Sequence, residues 1–265
     1  MLGTIQKSAR LAAQKIYYAK ALSQEGALPP AIVVGTHHKT GTNYANTVFK
    51  DIAALFGYRF VRLTSKSRPD DIELRTNTVY MLSQLEPKFI ARFEQLGHRH
   101  RIIHFIRDPR TLCLSAARYH MTASEDWLDQ KHERYGGKSH RQCLEELDHE
   151  ADRVLFELRN HSGFHTKLML DCTMSRSTFN VKLEDISSDV TMESHLQMLL
   201  ALGLRKRALL PALDIASRHS LWAMSAMPAH ATRGVKPLPQ ELIGTDFFKE
   251  YQTRFGDAHT DLGYS

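Results

Sequence analysis

The chain has 265 residues, of which 42% are hydrophobic and 24% charged, an ordinary balance for a soluble globular protein. Lysine and arginine (35) outnumber aspartate and glutamate (29) for a net charge of +6, which favours an anionic partner. Three cysteines with no C-x-x-C spacing argue against a disulfide framework and fit a reducing, cytoplasmic compartment. No run reaches the roughly 20 apolar residues of a membrane span.

Residues 1–28 read as a basic helical segment carrying Lys7, Arg10, Lys15 and Lys20, closed by Gly26 and Pro29-Pro30. No small-residue cleavage site or long apolar core accompanies it, so a surface helix is favoured over a targeting segment. Residues 29–265 are predicted to form a single α/β domain. A strand over 31–34 runs into a loop, followed by a helix over about 43–56 that ends at Gly57. Strands follow at 58–63 and 77–82, with a polar loop containing Pro69 between them, and then a helix over 86–96. The apolar run 101–106 is a strand. Arg107-Asp108-Pro109 turns from it into a helix over 109–120, with Asp108 suited to the N-cap and Pro109 to the first helical position. Helices are predicted to fill 139–161, strands to lie near 166–170 and 178–183, and helices over 190–202, 205–218 and 239–254, with an irregular stretch from 219 to 234. The charge-dense segment 126–149 reads as a solvated helical face or as an acceptor gate. Apolar strands alternating with helices imply a central parallel sheet flanked by helices on both faces, with ligands beyond the strands' carboxyl ends.

The stretch Gly35-Thr36-His37-His38-Lys39-Thr40-Gly41-Thr42 carries the most chemistry. Strand, glycine-flanked loop and helix N-terminus together form an anion cradle, because backbone N–H groups converge there and the helix dipole favours negative charge. The nucleotide-triphosphate loop places its lysine directly after the second glycine. Here Lys39 precedes Gly41 by two positions, which disfavours a nucleotide kinase.

The loop His38-Lys39-Thr40-Gly41-Thr42-Asn43 and the run Arg107-Asp108-Pro109 through Ser115 together resemble the two signatures of sulfotransferases that use 3′-phosphoadenosine 5′-phosphosulfate (PAPS). Lys182-Leu183-Glu184-Asp185-Ile186 is similar to a third family feature, and Thr232-Arg233-Gly234 loosely to a fourth. The resemblance implies a P-loop-like sulfotransferase fold and transfer of a sulfuryl group from PAPS to a hydroxyl or amine acceptor such as a carbohydrate or small alcohol. It implies that Lys39, Thr40, Gly41, Thr42 and Asn43 hold the 5′-phosphosulfate, with Lys39 stabilising the departing oxygen. Arg107 and Ser115 would bind the 3′-phosphate. Tyr44 stands where relatives stack a tryptophan on adenine, a core tyrosine being the other reading, and Arg233 and Gly234 would join the cofactor loop.

Two departures from the family stand out. His38 replaces the usual proline, and no histidine occupies the usual base position in Tyr80 through Pro87. Glu86 is the candidate base, with Asp70, Asp71, Glu73, His37 and His120 as alternatives. A metal is not expected, because His37-His38 and His98-Arg99-His100 lack metal-pair spacing and read as surface residues. No basic-aromatic interleaving indicates nucleic acid. A P-loop kinase or NTPase and a non-catalytic anion-binding protein are the alternative readings.

Overall fold

The computed structural model describes residues 31–97, 100–173, 175, 177–204, 206–222 and 238–264. The expected N-terminal helix, Arg233 and Gly234 lie outside the described residues. The strands are β1 (Ala31–Gly35), β2 (Arg59–Leu63), β3 (Thr78–Leu82), β4 (His100–Ile106), β5 (Lys131–His132), β6 (Lys138–Ser139) and β7 (Thr178–Lys182). The helices are α1 (Thr42–Phe56), α2 (Pro87–Glu94), α3 (Pro109–His120), α4 (His140–Glu145), α5 (Glu150–Asn160) and α6 (Ser162–Thr173). They continue with α7 (Leu183–Ser188), α8 (Glu193–Ala201), α9 (Lys206–His219), α10 (Asp246–Phe255) and α11 (Ala258–Asp261).

The described residues fall into two compact units, one of 31–37, 41–106 and 171–222, the other of 38–40, 107–170 and 238–264. The first is built on a five-stranded sheet in the order β2-β3-β1-β4-β7, with every neighbouring pair parallel. β1 and β3 are buried at all five positions, as strands covered on both faces must be. One face of the sheet packs Ile32, Val34, Val79 and Phe105 against Val48, Phe49 and Ile52 of α1 and against α8 and α9. The other packs Val33, Tyr80 and Ile102 against Phe89 and Phe93 of α2. The predicted α/β class with a central parallel sheet is the observed one. Among the described residues, no helix is long and apolar enough to cross a membrane.

The second unit is largely helical. Cys113, Leu114 and Ala117 of α3, Val154 and Leu158 of α5, and Phe247 and Tyr251 of α10 share one core. The strand expected near 166–170 is instead part of α6. Ser162, Thr166, Met169 and Cys172 are fully buried there at helical spacing, and the Lys-Leu-Met-Leu run is of good helix formers. The helices expected over 139–161 are α4 and α5, separated by residues 146–149. Upstream of α4, the charged segment forms short 3₁₀ turns and a β5–β6 ribbon rather than a helical face. Gly136 and Gly137, at φ +63° and +82°, close that ribbon's turn.

Candidate functional site

In the first unit, β1 delivers the chain to Gly35, where an added Cβ would lie 2.4 Å from Leu85 Cδ2. Glycine therefore lets the segment after β3 close onto the start of the loop, and the Leu85 N–H donates to the Thr36 carbonyl at 3.1 Å. The Thr36 hydroxyl donates to Leu82 O at 3.0 Å and meets Thr42 Oγ1 at 3.0 Å. The Thr42 hydroxyl reaches back to the His37 carbonyl at 3.2 Å. These contacts clip the loop's two ends together.

Gly41 is the N-cap of α1 at φ +93°, no side chain caps the helix, and its first turn carries no acidic residue. A 15-residue helix thus begins without a side chain on its N-cap residue to satisfy its first N–H groups, and no acidic residue of its first turn offsets its dipole. Lys39 also has a left-handed backbone, at φ +63°. Left-handed residues within such a loop turn successive N–H groups to one side and form an anion-binding concavity. Asn43 is exposed and Thr40 buried. Tyr44 packs its ring against Phe105 and His195 at centroid distances of 6.3 and 5.9 Å, on the core side of α1.

In the second unit, the Arg107 guanidinium donates from Nη1 to the Lys39 carbonyl at 3.2 Å and from Nε to Thr111 Oγ1 at 3.2 Å. The Lys39 ammonium lies 3.7 Å from the centroid of the Tyr119 ring. Burial, reinforced by Arg107 and opposed by Glu125, lowers the Lys39 pKa to about 8. Asp108 caps α3 as the sequence predicts, accepting the Arg110 N–H at 2.9 Å and pairing with the Arg110 guanidinium at 2.8 Å. Ser115 is half-buried two turns along α3.

The base candidates separate by their surroundings. Glu86 is the half-buried N-cap of α2, one residue after the leucine seated on Gly35. Its carboxylate pairs with Lys88 at 2.8 Å and accepts from Gln84 at 3.2 Å. Asp70 and Asp71 are exposed in a 3₁₀ turn, and exposed Glu73 pairs with Arg75. His37 is fully buried, with Nε2 at 2.9 Å from His104 Nε2, and His104 Nδ1 lies 2.9 Å from Asn180 Oδ1. Burial lowers the His104 pKa to about 4.

The expectation of surface histidines is corrected for the described ones. His37 and His100 are buried and His38 is half-buried. His38 belongs to a histidine cluster in the second unit that spacing within single motifs did not reveal. One ring nitrogen from each of His38, His120 and His161 lies within 4.8 Å of the others. The His161-x-x-x-His165 spacing was the one sequence signal for it. Burial is the main cause that holds the imidazoles of His161 and His165 neutral, with pKa values of about 3 and 4, and it depresses that of His38 further. Burial pushes the Glu157 carboxyl up, but hydrogen bonds from His120 and His140 outweigh it and hold that group below the usual carboxylate range.

With this geometry in view, solved structures offer a comparison of the fold. A crystal structure of the mouse sulfotransferase SULT7A1 complexed with PAP superposes at a TM-score of 0.50, covering 92% of this chain and 90% of that one at 13% identity. The fold is sulfotransferase-like. At that identity the match speaks for the fold alone. No protein-family model matches the sequence, and no curated protein does.

Proposed function

We propose that the protein transfers a sulfuryl group from PAPS to a hydroxyl-bearing acceptor. The observation that carries this reading is the Arg107–Lys39 contact, Nη1 to carbonyl at 3.2 Å, which brings the basic residues of the two family-like signatures together in one unit. The loop fits an anion on its own evidence. Lys39 and Gly41 are left-handed, and α1 begins without a side-chain cap or an acidic residue. The lysine's register before Gly41 and the presence of Arg107 favour a 3′-phosphorylated nucleotide over a triphosphate.

In this reading the backbone from Lys39 to Thr42 and the side chain of Asn43 hold the 5′-phosphosulfate, with Thr40 and Thr42 shaping the loop. Arg107 holds the 3′-phosphate with a planar fork suited to two oxygens, and Ser115 adds a hydroxyl. PAPS supplies the sulfuryl group. The acceptor oxygen forms the new S–O bond as the bond to the 5′-phosphate breaks, and adenosine 3′,5′-bisphosphate leaves. Lys39, as the cation, stabilises charge on the leaving oxygen, a contribution realised mainly in the transition state. Glu86 takes the acceptor proton. Its place just after the residue that closes onto Gly35 supports that role, and its tie to Lys88 is to be exchanged for the acceptor hydroxyl.

A thermal-shift titration with adenosine 3′,5′-bisphosphate against ATP with magnesium tests the reading. The bisphosphate should raise the melting temperature with concentration as RT ln(1 + [L]/Kd). Stabilisation by ATP with magnesium and none by the bisphosphate would overturn it.

A further inference from the structure

We propose that the second unit is a metal-binding unit, holding a divalent transition metal, zinc by its ligand chemistry, on His38, His120 and His161. One ring nitrogen of each lies within 4.8 Å of those of the other two. Tetrahedral zinc with Zn–N bonds of about 2.0–2.1 Å needs nitrogens roughly 3.4 Å apart, which small ring rotations supply. The buried atoms His38 Nε2, His120 Nε2, His161 Nδ1 and His165 Nδ1 have no hydrogen-bond partner. Buried polar atoms are almost always satisfied, so several in one cluster call for an occupant. A cation satisfies them together, which one water with two protons cannot.

The surroundings orient the rings for that role. Glu157 is fully buried and accepts from His120 Nδ1 at 2.5 Å, from His140 Nε2 at 2.8 Å and from Ser162 Oγ at 2.9 Å. An ionised carboxylate only accepts, so His120 carries a proton on Nδ1, which leaves Nε2 as its nitrogen for a metal. A carboxylate behind a ligating histidine is the usual outer-shell device for fixing tautomer and ring orientation. Trp127 stacks on His161 at 4.8 Å and meets the edge of His120 at 5.1 Å, so both ring planes are held. His120, His140 and Glu157 also lie close enough for a metal. The hydrogen bonds of His120 and His140 to Glu157 make Glu157 and His140 the orienting shell behind the ligand His120 instead.

His165, its ring centroid 4.7 Å from His161 and 5.6 Å from His38, stands beside this set, outside the three whose ring nitrogens approach one another, and is the imidazole on hand for a fourth position. An all-imidazole shell suits zinc rather than magnesium or calcium, which take oxygen. The metal ties the residue before Lys39 to the end of α3 and to the α5–α6 junction, and so fixes the loop that carries the lysine. The site stands on these residues alone and does not depend on the sulfuryl-transfer reading.

The test uses tag-free full-length protein, stripped with chelator and titrated with Zn²⁺ by calorimetry and with Co²⁺ by visible spectroscopy. The expected result is uptake of one equivalent, the intense absorption of tetrahedral Co²⁺, and its displacement by Zn²⁺. X-ray absorption of the zinc form should fit at least three imidazoles and no sulfur. His38→Ala should abolish stoichiometric uptake. Glu157→Gln should weaken it roughly 10–100-fold, and His219→Ala, which removes a hydrogen bond to Asp51 in the first unit, should leave it unchanged. Absence of stoichiometric uptake by the wild-type protein, a sulfur-containing shell, or undiminished uptake by folded His38→Ala overturns the proposal. The wild-type measurements need no variant to fold. None of the readouts uses a nucleotide, so failure here and failure of the sulfuryl-transfer reading are seen separately.

Discussion

Replacing Gly41 with alanine tests the anion loop through its backbone alone. Gly41 sits at φ +93°, and an added Cβ would come to 2.8 Å from Leu183 Cδ1. Holding an alanine in the left-handed region costs about 1–2 kcal/mol. The Leu183 methyl must also retreat by about 0.6 Å to reach the 3.4 Å of ordinary contact, and overpacking of this kind costs about 1–3 kcal/mol. The sum is roughly 2–5 kcal/mol, or a melting temperature lowered by roughly 5–15 °C for a chain of this size. Equilibrium urea unfolding of Gly41→Ala, Leu183→Ala and the double variant separates the two contributions. The double variant should recover the steric part, giving a favourable coupling of about 1 kcal/mol or more, while the backbone part persists. A Gly41→Ala protein within about 0.5 kcal/mol of wild type would refute the reasoning. So would complete rescue by Leu183→Ala, because the backbone strain would then be absent.

Lys39→Ala should depress turnover more than bisphosphate affinity, whereas Arg107→Ala should weaken bisphosphate binding first, by about 10-fold or more for a lost charge-assisted pair. Steady-state kinetics with calorimetry of the bisphosphate distinguishes these outcomes, and the reverse pattern would contradict the assigned roles. Glu86→Gln should remove most sulfuryl transfer and leave bisphosphate binding intact; retained activity eliminates Glu86 as the base. Stability should fall as pH drops below about 6.5, where an unfolded His104 takes up a proton that the folded ring, facing His37 and Asn180, refuses until about pH 4. The loss is complete below about pH 4 and amounts to at most about 3 kcal/mol. Urea midpoints across that range should lose part of their slope in His104→Gln, and an unchanged slope would show that His104 is not a source of it.

Much of the first unit is written in local pattern. The buried runs at 31–35, 78–82 and 100–106 carry their own burial signature, and in the second unit Asp108-Pro109 carries its own helix start. Gly35 and Gly41 mark positions where a closely seated side chain or a left-handed φ admits little else. Leu168 and Leu170 misled because a short apolar run, here Leu168 to Leu170, suits a buried strand as well as a buried helix. Only the burial of Thr166, Met169 and Cys172 at three-residue intervals decided for α6.

The candidate site divides along the same line. The lysine register, the arginine after β4 and the uncapped helix start are local features, and the sequence determined them by itself. The Arg107–Lys39 contact joins residues 68 positions apart, and the histidine cluster draws on residues 38, 120, 161 and 165. Apart from the His161–His165 pair, four residues apart, their spacing along the chain follows no helical or strand period, so little local announces them. Tertiary packing decided them, because only the folded second unit brings those imidazoles together over Glu157 and shields their free nitrogens from water.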